Sequence, residues 1–340
     1  MKAIPVLDAV GSVLCHDVTR IVPGRSKGPA FRKGHIIRAE DVPELLAIGK
    51  EHIYVWALEP GSIHEDEAAE RIARAAAGPG VRFTSPVEGK VNLVAAHAGL
   101  LKVHREGLLR LNSIEDVVFG TLHSNQLVGV NAQVAGTRVS PLVVAEARIR
   151  QAEEVCREYH PLIEVKPLRP WRVGVVTTGS EVYHGRIVDK FGPIIRQKFA
   201  ALGSKVVEQV LVSDDRAMTV DAIHRLIAEG AEMVVATGGM SVDPDDQTPA
   251  SIRAAGGQVV TYGAPVFPGA MFMLAYIGTV PVLGLPGCVM YFRSTIFDFI
   301  VPRLLAGETV TREDIIALGH GGLCVACPEC QYPRCGFGKA

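Results

Sequence analysis

The sequence predicts an α/β protein: a mainly β region over residues 1–145, then from residue 171 a domain with a mostly parallel sheet between helices. Three observations predict it. Short β-branched stretches broken by Gly and Pro fill the first part, as in HIYVWAL, GKVNLVA and DVVFGTL. From Trp171 onward, apolar strand patterns alternate with helical ones, the signature of a sheet covered on both faces. Three of those strands run into Gly-rich turns, and open α/β sheets bind ligands at the carboxyl ends of their strands.

Composition agrees with a folded chain of more than one domain. Its 340 residues exceed the usual single domain, and 48% hydrophobic against 21% charged residues supplies sizeable cores. A net charge of −1 excludes a bulk nucleic-acid binder. The opening MKAIPVLDAVGSVL is broken by Pro5, Asp8 and Gly11 and lacks the layout of a secretory signal. No apolar run reaches the roughly 20 residues that span a bilayer. A cytoplasmic protein with no membrane or nucleic-acid partner is expected. Seven cysteines, four of them crowded at one end, argue against a disulfide framework.

The elements follow in order. EDVPELLAIGK (40–50) and HEDEAAERIARAAA (64–77) read as helices, the second opening on acids that suit a helix N-terminus. PLVVAEARIRQAEEVCREYH (141–160) reads as a helix ended by Pro161, and EVKPLRPWR as a linker, so residues 146–170 are taken as a connector. RVGVVTTG is a buried-type strand, followed by helix-like IVDKFGPIIRQKFAALG. Strand KVVEQVLV, helix DDRAMTVDAIHRLIAEG, strand MVVATGG and helix DQTPASIRAAGG come next. QVVTYG, MFMLAYIG and VPVLGLPG add strands, CVMYFRSTIFDFIVPRLLAG a final helix, and residues 318–340 form a Cys-rich tail.

The three turns are TTGSE (177–181), TGGMSVDPDD (237–246) and GLPGC (284–288). Gly179, Gly238, Gly239 and Gly287, the last after Pro286, let backbone approach a ligand closely. Thr178, Ser180, Thr237 and Ser241 add hydroxyl donors, and following helices offer N–H groups. Together these predict a phosphate or oxyanion pocket. Glu181, Asp189, Asp214, Asp215, Asp243, Asp245 and Asp246 fall in the loops or helix starts around it. Acids there either cap helices or hold a divalent cation, and Mg²⁺ bridged to a phosphate is the cation such a set suits. Capping and metal binding weigh evenly for Asp214 and Asp215, whereas Glu181 and Asp246, beside glycine turns, favour function. No G-x-G-x-x-G follows a strand and no P-loop is present, which disfavours a simple nicotinamide or nucleoside-triphosphate site.

TGSEV, GRIVDKFG, TGGMSVDPDD, PGAMF and GLPG, in that order over residues 170–305, resemble the molybdopterin-binding domain of the MoeA/gephyrin and MogA group. The stretch VLCHDVTRIVPGRSKGPAFRKGHIIRAEDVPELLAIGKEHIYV also resembles the β region flanking it in MoeA-like proteins. The resemblance implies a three-layer domain that binds molybdopterin or its adenylylated form, with Mg²⁺ assisting molybdate insertion. It implies catalytic roles for Glu181, Asp189 and Asp246, and cofactor contacts from Thr178, Gly179, Ser180, Thr237, Gly238, Gly239, Ser241, Pro286 and Gly287. Asp243 and Asp246 would hold the metal. Three departures stand out: Asp243 replaces a usual Gly, PGAMF replaces PGKP, and the M-D-G-Y-A segment of a lid-like domain is not found. They favour an alternative, a binding, delivery or sensing module that docks to a molybdoenzyme or nucleotidyltransferase. Relatives of this fold self-associate, so a homo-oligomer is expected.

His16, His97, His104, His123 and His160 are scattered without ligand spacing. Cys15 and Cys156 read as small apolar residues, whereas Cys288 sits where a helix N-terminus would lower its pKa, although packing remains the favoured role. Arg293 and Arg303 could reach phosphate, though a solvated helix face is the commoner role. Cys324, Cys327, Cys330 and Cys335 form C-x₂-C-x₂-C-x₄-C, a metal clip for zinc or an iron–sulfur cluster. The latter leaves a third reading open, an electron-transfer protein on an α/β scaffold.

Overall fold

The computed structural model describes residues 2–22, 26–55, 60–241, 243 and 246–339. They gather into two units, one of residues 1–97, 101–122 and 128–165, the other of 98–100, 123–127 and 166–340.

The first unit is rich in short antiparallel pairings. Strands Val81–Phe83, Val91–Ala95, Gln133–Val139 and Val117–Thr121 pair in that order into one antiparallel sheet. The helix Glu65–Ala76 packs on it, burying Ala68, Ala69, Ile72, Ala73 and Ala76 on one face. That helix starts where it does because the His64 ring accepts the Asp66 N–H at 3.1 Å, with three acids in the first turn facing the positive end of the dipole. Arg71 clamps it to helix Glu146–Glu158 through two 2.8 Å bonds to Glu153. The helix expected from residue 141 begins only at Glu146, because Val143–Ala145 pairs as a strand with Ser62–His64. Val6, Leu14, Ile37, Leu45 and Ile53 form a smaller core, and Lys2–Pro5 pairs antiparallel with the distant His52–Val55.

The second unit is the α/β domain that positions the candidate site. Its elements are β1 (Arg172–Thr178), α1 (Ser180–Tyr183), α2 (Phe191–Ala201), β2 (Lys205–Val212), α3 (Arg216–Ala228), β3 (Met233–Thr237), α4 (Thr248–Ala254), β4 (Gln258–Tyr262), β5 (Met273–Ile277), β6 (Val280–Leu285), α5 (Phe297–Leu305) and α6 (Arg312–Ala317). One six-stranded sheet runs β2-β1-β3-β6-β5-β4. β2, β1, β3 and β6 are parallel, while β5 and β4 close the edge antiparallel. Both faces are covered, as the continuous apolar runs of the strands require. Val173, Val175, Met233 and Val235 pack with Phe199, Phe297 and Ile300 on one side. Val176, Val234 and Ala236 pack with Ile223, Leu226 and Ile252 on the other. A Cβ on Gly174 would stand 2.9 Å from a Leu226 methyl, so its absence lets α3 seat closely on β1.

Two helices are shorter than the sequence pattern predicts. The one expected from Ile187 starts at Phe191, because Asp189 turns back to accept the Phe191 and Gly192 N–H groups at 2.8 and 3.0 Å. The one expected from Cys288 is a single 3-10 turn, Gly287–Met290, and α5 begins only at Phe297. There the Asp298 carboxylate accepts the Thr295 N–H at 2.8 Å, fixing a break before the helix. Among the described residues no helix is long and apolar enough to cross a membrane.

Candidate functional site

The register of the parallel strands brings four carboxyl ends to one edge. Thr178 stands opposite Val212, Thr177 opposite Thr237, and Thr237 opposite Leu285. β1 passes the chain outward to β2 and β3 passes it the other way towards β6, so the strand order reverses between β1 and β3. A reversal of this kind is where such sheets take ligands. Thr178–Gly179 and Gly238–Gly239 flank it.

The two turns are packed backbone to backbone. Gly238 and Gly239 adopt φ of +84° and +52°, and a Cβ on Gly238 would run into the Thr178 carbonyl. A side chain is excluded there both by the left-handed conformation and by space. Hydroxyls tie the strand ends together. Buried Thr237 donates to the Thr177 hydroxyl at 3.2 Å, and the Thr178 hydroxyl lies 3.1 Å from that of Thr248 and 3.3 Å from the Thr237 carbonyl. Thr248, the first residue of α4, donates its hydroxyl to the Gly238 carbonyl at 2.9 Å and its N–H to the Gly239 carbonyl at 3.2 Å. The loop 238–247 is thereby closed at its base. Buried hydroxyls need partners, and this set supplies them mutually.

The sequence-predicted residues distribute around this base. Ser180 and Asp214 hold each other, the Ser180 N–H donating to Asp214 at 2.8 Å and the Asp214 N–H to the Ser180 hydroxyl at 3.3 Å. The carboxylate of exposed Glu181 folds back over Gly179, its Oε1 3.0 Å from where a Cβ would stand. Ser241 and Asp243 are exposed on the loop and Asp246 is half-buried, its carboxylate accepting the Asp243 N–H at 3.2 Å. Asp215 caps α3 by accepting the Met218 N–H at 2.8 Å. Pro286 is buried and Gly287 exposed at the end of β6. Asp245 lies outside the described residues. Among the described residues, no three His, Cys, Asp or Glu side chains converge on a point as one metal ion requires.

Asp189 is committed to structure on both oxygens. Besides capping α2, it accepts the Gln209 amide at 2.6 Å, and the same amide donates to the Thr177 hydroxyl at 3.0 Å. Sequence reading missed Gln209, Thr177 and Thr248 in this network. A glutamine, next to Glu208, inside the largely apolar strand VVEQVLV was the available signal. His64 was missed too; it is buried in the first unit, bonds the Cys15 carbonyl at 2.6 Å, and has its pKa lowered chiefly by burial.

The remaining expectations differ in outcome. Burial pushes the Cys288 thiol up, outweighing the backbone N–H groups that would activate it. Arg303 is neither solvated nor a phosphate ligand: it is buried and bonds Glu308 and Asp314 at 2.8 Å each. Cys15 and Cys156 are fully buried, as small apolar residues are, and burial pushes the Cys156 thiol up to about 12. His104 caps a helix in the first unit, accepting the Gly107 N–H at 3.1 Å.

The tail is packed on the second unit's core. Phe267 and Leu323 form a parallel bridge in which the Phe267 N–H donates to Gly322 at 2.7 Å and the Cys324 N–H donates to Phe267 at 2.8 Å. Phe337 is buried edge-on against Phe299, which also meets Tyr332. The four tail cysteines are free thiols, each half-buried.

Residues 3–57 match a domain of unknown function, and residues 174–306 match the family described as probable molybdopterin binding domain. A CinA-like protein of Mycobacterium sp. (strain MCS) is 37% identical over 82 residues, 24% of this chain and 19% of that protein. One from Mycobacterium tuberculosis (strain ATCC 25177 / H37Ra) is 36% identical over 78 residues, 23% of this chain and 18% of its own. The aligned part thus spans about a fifth of the length of these curated relatives. Among solved structures, the molybdopterin biosynthesis enzyme MoaB from Thermus thermophilus aligns with 22% identity over 41% of this chain and 98% of its own, at a TM-score of 0.33. The molybdopterin biosynthesis MoeA protein from Pyrococcus horikosii aligns with 18% identity over 72% and 79%, at 0.34. The segment 174–306, which carries the Thr178–Gly179 and Gly238–Gly239 turns, is thus similar to the family described as probable molybdopterin binding domain.

Proposed function

We propose that the second unit binds molybdopterin, or its adenylylated form, at the carboxyl ends of β1, β3 and β6 and serves molybdenum cofactor biosynthesis. The observation that carries this reading is the meeting of Thr178–Gly179 with Gly238–Gly239 at the strand-order reversal, in a segment of the matching family. The two turns are locked against each other at the strand ends, and Ser180 and Ser241 stand beside them as hydroxyl donors for a phosphate. The threonine set fixes the turns in advance, so little ordering accompanies binding.

Mg²⁺ fits the donors present. Asp243 and Asp246 offer hard carboxylate oxygens on one loop, and Mg²⁺ is commonly held by one or two carboxylates plus substrate phosphates. When bound, it would neutralise phosphate charge. Glu181 is exposed and able to face a bound ligand, whereas Asp189 acts as a positioning residue that holds α2 and Gln209.

Two readings of the site follow, molybdate insertion and cofactor delivery to a partner enzyme by a homo-oligomeric carrier. The engagement of Asp189 as a helix cap favours delivery, and exposed Glu181 favours insertion. Incubating the full chain with adenylylated molybdopterin, molybdate and Mg²⁺ separates them. Release of AMP with active cofactor supports insertion; tight binding without release supports delivery. Absence of binding sinks both.

A further inference from the structure

We infer that Cys324, Cys327, Cys330 and Cys335 ligate a polynuclear iron–sulfur cluster, of the [4Fe–4S] class, in a cavity formed between the tail and the loop that follows β6. The inference goes beyond the pterin reading and does not depend on it. All four cysteines line a single cavity of about 420 Å³. Its other walls include Phe292, Arg293, Leu323, Val325, Tyr332 and Phe337, a mostly apolar shell with one guanidinium.

The arrangement of the thiols discriminates between the two metals that the spacing allows. Zinc holds sulfur at about 2.3 Å, so four thiolates around one tetrahedral ion stand about 3.8 Å apart, with no cavity between them. Here the four cysteines line one volume of about 420 Å³, space that a single ion would leave empty. A cluster spreads its ligands over separate irons and fills the space between them. Ligation releases the four thiol protons and leaves an anionic centre, for which Arg293 supplies the opposite charge. The Ser294 hydroxyl, 3.8 Å from the Cys330 sulfur, is placed to bond it, an interaction that tunes such clusters.

The tail is fixed independently of the thiols. The Phe267 bridge on one side and the Gly338 N–H to Gly321 bond of 2.9 Å on the other pin both ends of the cysteine run. The loop that supplies Phe292, Arg293 and Ser294 also carries Pro286 and Gly287, so one segment runs from the end of β6 to the cavity.

The test is metal analysis of the full chain purified without oxygen. About four irons and as much acid-labile sulfide per chain, with broad visible absorption, are expected. Cys330→Ser should lose most of the iron and sulfide, while Cys156→Ala, altered only in the first unit's core, should keep both. Because a ligand can also be needed for the tail to fold, analysis of the unmodified chain decides by itself. One zinc per chain without sulfide, or no metal even after reconstitution with ferrous iron and sulfide, would overturn the inference.

Discussion

The strand-end crevice and the cysteine cavity lie in the same unit but are organised in opposite ways. In the crevice nearly every polar group already has a protein partner: Thr177 with Thr237 and Gln209, Thr178 with Thr248, Ser180 with Asp214, Asp189 with α2. In the cavity the walls are built and four cysteines line one volume. The first arrangement suits a ligand that comes and goes against a fixed backbone. The second suits a resident group that completes its own surroundings.

The largest expected effect breaks the crevice alone. Gly238→Ala places a methyl group against the Thr178 carbonyl and forces a left-handed alanine, a strain of about 1–2 kcal/mol before the clash is counted. Molybdopterin affinity should fall by at least roughly tenfold, about 1.4 kcal/mol, while iron content stays unchanged. Titration calorimetry beside metal analysis checks both halves; loss of iron in this variant would merge the two sites. Thr248→Val comes next. It removes the hydroxyl shared by Gly238 and Thr178 and should cost about 1–3 kcal/mol of stability, read as a lower melting temperature with weakened pterin binding. Asp189→Ala should cost about 1 kcal/mol through the lost α2 cap, measurable by urea unfolding. If turnover exists and vanishes in that variant while stability holds, Asp189 is catalytic and its positioning role is refuted.

The smallest effect concerns the cavity wall. Burial, reinforced by Asp298, Cys335 and Cys330, holds the Tyr332 phenol well above the ordinary value of 10.0. Above pH 10 the unfolded chain releases this proton and the folded chain keeps it, so stability falls as pH rises through that range. Tyr332→Phe should flatten that slope in denaturation curves taken from neutral to alkaline pH. An unchanged slope would place the phenol in solvent.

Much of the α/β unit was legible because parallel strands buried on both faces read as apolar runs, and because Gly238 and Gly239 follow one of them directly. The antiparallel edge was less so, although Gly278 and Thr279 between β5 and β6 form a two-residue hairpin turn. Pairings between distant residues stayed hidden: nothing local in Gln209 names Asp189 or Thr177 as its partner. The same holds for the tail. Its cysteine spacing suggested a metal clip, but nothing local showed that Phe292 and Arg293, from elsewhere in the chain, line the same cavity as the cysteines. Helix starts erred where one side chain, Asp189 or Asp298, captured backbone N–H groups at or just ahead of the first turn.

The central claim is that the glycine turns at the β1–β3 reversal are where the pterin binds. Titrating molybdopterin into the intact chain and into Gly238→Ala, with melting curves on both, tests it most directly. The account predicts saturable binding by the intact chain and binding weakened by roughly tenfold or more in a variant that still melts cooperatively. Equal affinity in the two folded proteins, or no binding by the intact chain, would contradict it.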